Sequence, residues 1–186
     1  MLDRLPSLPA DVFILCMDTG ARPEEVARMK WDDVLWASNL LRISDGKTAA
    51  SAREIGMSTR VVETLRRRVR AQAGHKRYDG TPWVFPSSRA KKGHIVGVSK
   101  AFREARVSAG LPDDLVLYSA RHTFGTEFME ATKNLKLTMA AMGHVDVKTA
   151  MRYQHPETGQ VRDIMNQRNS KRKSVTTEEW SHFWAH

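Results

Sequence analysis

The stretch that decides how this chain is interpreted is residues 118–124, Tyr-Ser-Ala-Arg-His-Thr-Phe. The pattern that follows Tyr118 predicts a helix over 119–132, so Arg121 lies beside the start of a helix. A planar guanidinium matches the oxygens of a phosphate bidentately, which makes this arginine a candidate phosphate ligand. Taken alone, an arginine in such a place is more often a surface charge.

Three further segments place a reactive side chain beside a turn or a helix end. Residues 19–26 read Thr-Gly-Ala-Arg-Pro-Glu-Glu-Val, with Arg22 where free backbone N–H groups already favour an anion. Lys47 lies at the tip of a predicted hairpin, and His144 follows a glycine nine residues before Tyr153. Each has an ordinary explanation, as a solvated charge, a helix cap or a packed ring. Only their order and spacing favour a functional interpretation.

Around these segments the pattern predicts a mainly helical α+β domain with one small antiparallel sheet. Two strands are expected at 40–44 and 53–57, joined by an Asp-Gly turn, and a short third strand at 83–85. The remaining helices are expected over 8–20, from Pro23 to about Asp33, and over 59–73, 98–109, 134–142, 146–154 and 158–168.

The charge indicates a polyanionic partner. The chain carries a net charge of +9, and residues 51–110 alone hold fourteen basic against four acidic side chains. In the 59–73 helix four valine and leucine side chains line one face, and Arg66, Arg67, Arg68 and Arg70 lie mostly elsewhere. The stretch 87–97 is expected to be a basic, phosphate-accessible loop. The candidate DNA contacts are Arg66, Arg67, Arg89, Lys91 and Lys92. On charge alone, a merely solvated surface fits equally well.

Several classes of protein are disfavoured. No run of eighteen apolar residues is present, so a membrane span is not expected, and the start of the chain lacks the pattern of a secretory signal. The single cysteine, Cys16, excludes an internal disulfide and cannot hold zinc alone. No phosphate-binding glycine loop and no acidic cluster suited to magnesium is evident. A cytoplasmic protein without metal or cofactor is therefore expected.

Taken together, the four segments resemble the tyrosine recombinase and phage integrase family over roughly residues 8–156. The family's first box reads like Thr-Gly-Leu-Arg-x-x-Glu-Leu, which 19–26 matches, and its hairpin lysine follows about twenty-five residues later, as Lys47 does. Its second box ends in Arg-His-Thr-Phe, as in 121–124. Its Leu-Gly-His element is matched by 142–144, with a Tyr-x-His nucleophile motif at 153–155.

The resemblance implies the catalytic domain of a site-specific recombinase that cuts and rejoins double-stranded DNA. Tyr153 would attack and become joined to the 3′-phosphate, while Arg22 and Arg121 neutralise the phosphate oxygens. His144 would hydrogen-bond the scissile phosphate or act as general base, and Lys47 would protonate the 5′-hydroxyl leaving group. The bond energy would be kept in the phosphotyrosyl ester, so neither ATP nor a metal is required.

The chain departs from the family at one site position. The family usually places a histidine three residues before the second arginine, and here that residue is Tyr118. A phenol cannot exchange protons near pH 7 as an imidazole can. In one interpretation, Tyr118 positions the phosphate or the nucleophile, and His144 is the general base. In the other, the substitution slows the enzyme. Ser119 and His122 are expected to be structural, with His122 packing or hydrogen-bonding beneath the arginine.

Domain organisation and assembly follow from the same comparison. We expect a catalytic domain over 1–168 and a basic, aromatic tail over 169–186, without the N-terminal DNA-clamping domain of the family. The C-terminal segment either packs on a neighbouring subunit of a homotetramer on DNA or folds back onto its own domain; a monomer in isolation is left open. The alternative functions are a recombinase-like protein that binds DNA without cutting it and a type IB topoisomerase.

Overall fold

The structure is a computed structural model, and it describes residues 5–43, 52–144, 146–153 and 162–167. The chain divides into two compact units, Met1–Tyr153 and Gln154–His186. In the second unit, residues 162–167 form a helix within the region predicted to be helical. In the described ranges no helix is both long enough and apolar enough to cross a membrane.

The first unit consists of seven helices, in the described ranges, and one three-stranded sheet. The helices are α1 (Ser7–Thr19), α2 (Pro23–Ala27), α3 (Thr59–Gln72), α4 (Ser99–Ser108), α5 (Ser119–Thr132), α6 (Leu135–Met142) and α7 (Val147–Met151). The mainly helical α+β class is confirmed. The predicted bounds of α1, α3, α4, α5 and α6 agree with the structure to within one residue or so, because local signals define their ends: Ser58 caps α3, and Gly20 ends α1 in the left-handed conformation.

Helix α2 is shorter than predicted. It ends at Ala27, and Trp31–Asp33 form a separate 3₁₀ turn instead of the end of the same helix. The reason is a long-range contact that the local pattern does not contain. The N–H of Trp31 donates to the carbonyl of Pro82, and the N–H of Val84 donates to the carbonyl of Met29. These bonds hold the chain in an extended form where the helix would have continued.

The sheet is antiparallel with the order β1-β2-β3, formed by Val34–Leu35, Leu40–Ile43 and Arg53–Gly56. The two predicted main strands are confirmed where the structure describes them. The third strand was predicted wrongly: within 83–85 only Trp83 forms an isolated bridge, to Lys30, and the edge strand is the two-residue β1. Residues 83–85 stand between Pro82 and Pro86, which have no N–H for a strand ladder.

The main core lies between α1, α3 and the sheet. Leu15, Val26, Leu41, Leu65 and Phe85 are fully buried there. Burying such a side chain contributes roughly 1.5–3 kcal/mol relative to exposure.

Arg68 is an exception among the four arginines of α3 that were expected to lie mostly away from its apolar face. Arg68 is buried, its guanidinium lies 5.4 Å from the centroid of the Phe85 ring, and one of its nitrogens is 3.8 Å from the carboxylate of Asp11. The aromatic ring and the buried carboxylate together compensate the charge, so this arginine is part of the fold.

A second, smaller cluster joins α5, α6 and the residues after α7. It contains Met129, Met142 and Tyr153, with Phe124 and Leu135 packed at its edge. Gly125 allows this packing, because a Cβ there would lie 2.7 Å from Tyr153 Cζ and 2.8 Å from Met142 Sδ. The absence of a side chain at position 125 therefore sets where the Tyr153 ring lies.

Replacing Gly125 should test this packing. We expect Gly125→Ala to lower the free energy of unfolding by up to about 2 kcal/mol, because an overpacking cost of roughly 1–3 kcal/mol outweighs the gain in helix propensity of about 1 kcal/mol. Chemical denaturation measures the change. Gly97→Ala is the matched control, since no atom lies within 4 Å of a Cβ there. Equal stability of the two variants would contradict the close approach.

Candidate active site

The centre of the site is Arg121, which is fully buried near the start of α5. One terminal nitrogen donates to the carbonyl of Gly20, and the other donates to the carbonyl of Met142 at 2.6 Å. Both carbonyls belong to the C-terminal ends of helices, where the helix dipole is negative and a cation is stabilised. Burial, and next the nearby cation of Arg22, lower the pKa of Arg121 from its ordinary value.

This arrangement changes the expected role of Arg121. The sequence suggested a bidentate grip on the phosphate, but the two terminal nitrogens already donate to backbone carbonyls and the side chain has no exposed surface. Arg121 therefore acts in this conformation through its charge and by holding Gly20 and Met142 together. Gly20 lets the chain pass close to the ring of Phe124. Its φ is +63°, and a Cβ at this position would lie 2.4 Å from that ring.

Arg22 provides the exposed cation of the site. It precedes α2, its side chain is 33% exposed, and its Nη1 lies 2.7 Å from Glu25 Oε1. The backbone N–H of Arg22 donates to the other oxygen of Glu25, also at 2.7 Å. The carboxylate therefore fixes both the main chain and the guanidinium of Arg22, as in a capping box.

Arg53 is a site residue that the sequence interpretation missed. Its Nη2 lies 3.1 Å from Glu25 Oε2, and its Nε donates to the carbonyl of Ala141 at 2.9 Å. Burial alone would raise the pKa of Glu25, but the hydrogen bonds and charges of Arg53 and Arg22 outweigh burial and lower it. Nothing in the strand pattern around Arg53 signals this contact, because both of its partners are distant in sequence.

His144 follows the left-handed Gly143 at the end of α6. Its ring lies parallel to that of Tyr153, with 6.0 Å between centroids and 5° between planes. Burial, followed by the charges of Arg121, Arg22, Arg152 and Arg53, lowers the pKa of His144 to about 4. The imidazole is therefore neutral at pH 7. In the part of the chain that the structure describes, the buried Nδ1 of His144 has no hydrogen-bond partner.

Tyr153 lies at the end of the first unit and is 5% exposed. Its hydroxyl is 3.0 Å from Nδ1 of His122. Burial raises the pKa of Tyr153, and the charges of Arg121 and Arg152 partly offset that effect. The expected placement of His122 beneath Arg121 stays a prediction, and the contact with the Tyr153 hydroxyl was not foreseen. Tyr118 is exposed, and its ring meets that of His122 edge-on at 5.2 Å.

For the other predicted residues, the described contacts show no link to Arg121, His144 or Tyr153. Lys47 and His155 lie outside the described residues. Arg66 is exposed on α3, whereas Arg67 donates to the buried carboxylate of Asp11, with Nε at 3.0 Å. Three further candidate DNA contacts are exposed on the stretch between Phe85 and α4: Arg89, Lys91 and Lys92.

The buried carboxylate between Arg22 and Arg53 gives a stability prediction. Glu25→Gln removes the negative charge that pairs with Arg53, whose side chain is 7% exposed. We expect a loss of about 3–5 kcal/mol in the free energy of unfolding. Glu54→Gln is the control, because the Arg42–Glu54 pair is nearly half exposed and should change stability by less than about 1 kcal/mol. Denaturant titration of both variants measures the difference.

The lowered pKa of His144 gives a pH prediction. Between about pH 6.5, the ordinary value of a histidine, and pH 4 the unfolded chain binds a proton that folded His144 does not. The free energy of unfolding should therefore fall as the pH drops through this window. His144→Gln should flatten the fall, and His75→Gln, at an exposed histidine, should leave it unchanged. Parallel slopes for wild type and His144→Gln would contradict the assignment.

Comparison with known proteins agrees with this arrangement. The model of the phage integrase family matches residues 8–160. The chain is 34% identical over 128 residues to the prophage integrase IntF of Escherichia coli, which covers 68% of this chain and 26% of that protein. It is 30% identical over 92 residues to the tyrosine recombinase XerC of Erythrobacter litoralis, which covers 48% of this chain and 29% of the relative. The chain thus spans less than a third of these relatives.

The fold is similar to that of solved recombinase structures. The Tn1549 transposon integrase, in complex with circular intermediate DNA, superposes with a TM-score of 0.72 at 20% identity, over 85% of this chain and 59% of that one. The helices and sheet of the first unit are therefore those of a tyrosine recombinase catalytic domain. With the family model matching most of its length, this chain belongs to the phage integrase family of tyrosine recombinases.

Proposed function

We propose that this chain is the catalytic part of a site-specific recombinase that cleaves and rejoins double-stranded DNA through Tyr153. The observation that carries the proposal is the buried Arg121. By bonding to Gly20 and Met142 it draws together the segments that carry Arg22 and His144. His144 lies in turn against Tyr153, so a cation, an imidazole and a phenol share one site.

Each side chain supplies one requirement of phosphodiester transfer. The exposed part of Arg22 would contact the non-bridging oxygens, and Arg121 would add its positive field from beneath, where low polarity strengthens it. Neutral His144 would donate a hydrogen bond to the phosphate. Lys47 would protonate the departing 5′ oxygen.

The energy of the broken bond would be kept in the ester between Tyr153 and the 3′-phosphate. We therefore propose that the reaction needs neither ATP nor a metal ion. The rejoining step would be the same exchange in reverse, with a 5′-hydroxyl as the nucleophile.

The DNA surface and the assembly are also part of the proposal. The exposed Arg66, Arg89, Lys91 and Lys92 would contact the DNA backbone, and Arg67 would contribute less because Asp11 already holds its guanidinium. We retain the catalytic domain over 1–168 and the tail over 169–186, with the C-terminal segment joining subunits of a tetramer on DNA. A DNA substrate of this kind places the protein in the cytoplasm, at the nucleoid.

A protein that binds DNA without cutting it is the second candidate, and only Tyr118 favours it. The contact between the Tyr153 hydroxyl and the imidazole of His122 argues against that candidate, because an imidazole that could take up the phenolic proton is still in place. The similarity to proteins named recombinases and integrases favours strand exchange over the relaxation of supercoils by a topoisomerase.

Covalent trapping tests the proposed nucleophile. The probe is duplex DNA with a nick and a randomised sequence around it, and the product is a protein–DNA adduct that survives a denaturing gel. Wild type should form the adduct, and Tyr153→Phe should form none, because the attacking oxygen is gone. Tyr78→Phe is the matched control and should react like wild type. An adduct that persists in Tyr153→Phe would rule out this nucleophile.

A further inference from the structure

Position 118 carries a tyrosine instead of a histidine, but a histidine, His122, lies one helical turn further along. Tyr118 and His122 are four residues apart at the start of α5, and residues with this spacing lie on the same face of a helix. Their rings are in edge contact, with centroids 5.2 Å apart. His122 therefore reaches from the same face of α5, one turn further along.

The hydroxyl of Tyr153 is in contact with this second imidazole. The distance from Tyr153 Oη to His122 Nδ1 is 3.0 Å, within the range of a hydrogen bond. His144 is also close, but its ring lies parallel to the phenol ring at 6.0 Å, a stacked arrangement that forms no hydrogen bond to the hydroxyl. Of the two histidines beside Tyr153, His122 is the one that contacts the reacting oxygen.

We propose that His122 accepts the phenolic proton of Tyr153 as the tyrosine attacks the scissile phosphate. The general base of this step is therefore His122 and not His144. This inference rests on the proposed function. In the step, the Tyr153 Oη–P bond forms and the P–O5′ bond breaks. The phenolic proton moves to Nδ1 of His122, and the departing O5′ takes its electron pair and a proton from the general acid.

The surroundings of His122 keep its ring in the neutral form, which has a free lone pair. The groups that face it are Tyr118 and Arg121 on its own helix and Arg152 and Tyr153 after α7. Burial, followed by the charges of Arg152 and Arg121, lowers the pKa of His122, so the ring is neutral at pH 7. A neutral ring accepts at Nδ1 only when its proton is on Nε2. The inference therefore requires the Nε2–H tautomer.

Proton transfer and simple positioning make different predictions for an asparagine at position 122. An asparagine amide can stand near the place of Nδ1 and bond to the hydroxyl, but it cannot take up a proton. We expect His122→Asn to lower the rate of adduct formation at pH 7 by about 10²–10⁴-fold. The deficit should shrink as the pH rises, because solvent hydroxide then replaces the lost base. His75→Asn is the matched control at an exposed histidine.

The test uses the full 186-residue chain and the randomised nicked duplex described above. The rate in wild type should fall at low pH as His122 becomes protonated, and this fall should disappear in His122→Asn. A second duplex with sulfur in place of O5′ needs no general acid, so it should leave the His122→Asn deficit unchanged. Three results would overturn the inference: a rate within about threefold of wild type at pH 7, an equal deficit at every pH, or rescue by the sulfur substrate.

A measurement on the wild-type protein without DNA tests the role of His122 independently of the proposed function. Nitrogen-15 NMR of the imidazoles should find His122 as the Nε2–H tautomer, with an Nδ1 signal that moves in Tyr153→Phe. An Nδ1–H tautomer would overturn the role of His122 whatever the chain does to DNA. An absence of adduct in wild type, with the Nε2–H tautomer present, would count against the proposed function alone.

Discussion

The guanidinium of Arg121 lies with no exposed surface between the carbonyl ends of two helices. Burying a charge is costly unless dipoles or counter-charges replace the lost water. Here the C-terminal ends of α1 and α6 supply that replacement, and the cation in turn fixes where the two helices end. The segments just after these ends carry Arg22 and His144. The positions of the site residues therefore depend on the compensation of this one buried charge.

The charge of Arg121 also contributes to the electrostatics of the site. Arg121, Arg22 and Arg53 stand close together, and Glu25 is the carboxylate that bonds to two of them. Burial, and next the positive charges that include Arg121 and Arg152, lower the pKa of both His144 and His122, and the same two charges work against the effect of burial on the pKa of Tyr153. A site of this kind keeps its histidines neutral and attracts an anion, which is what a phosphate-binding centre requires.

The sequence predicted those parts of the fold that depend on neighbours along the chain. The caps Ser58 and Gly20 and the period of α5 are local signals, and the structure confirms the corresponding helix ends. The end of α2 and the edge strand β1 were missed, because both depend on contacts with distant residues. The sequence also named the candidate residues around the site from motif spacing, but not the bonds of Arg53 and His122. Those bonds reach 88 and 31 residues along the chain, where local patterns carry no information.

The order of these segments along the chain has a consequence for biosynthesis. Gly20 lies near the beginning, Arg121 bonds to it across 101 residues, and Tyr153 is the last residue of the first unit. While the ribosome is still making the chain, the pocket lacks its nucleophile until nearly the whole unit has emerged. A chain that ends before Tyr153 would therefore lack the proposed nucleophile, so the proposed DNA cleavage requires the whole first unit.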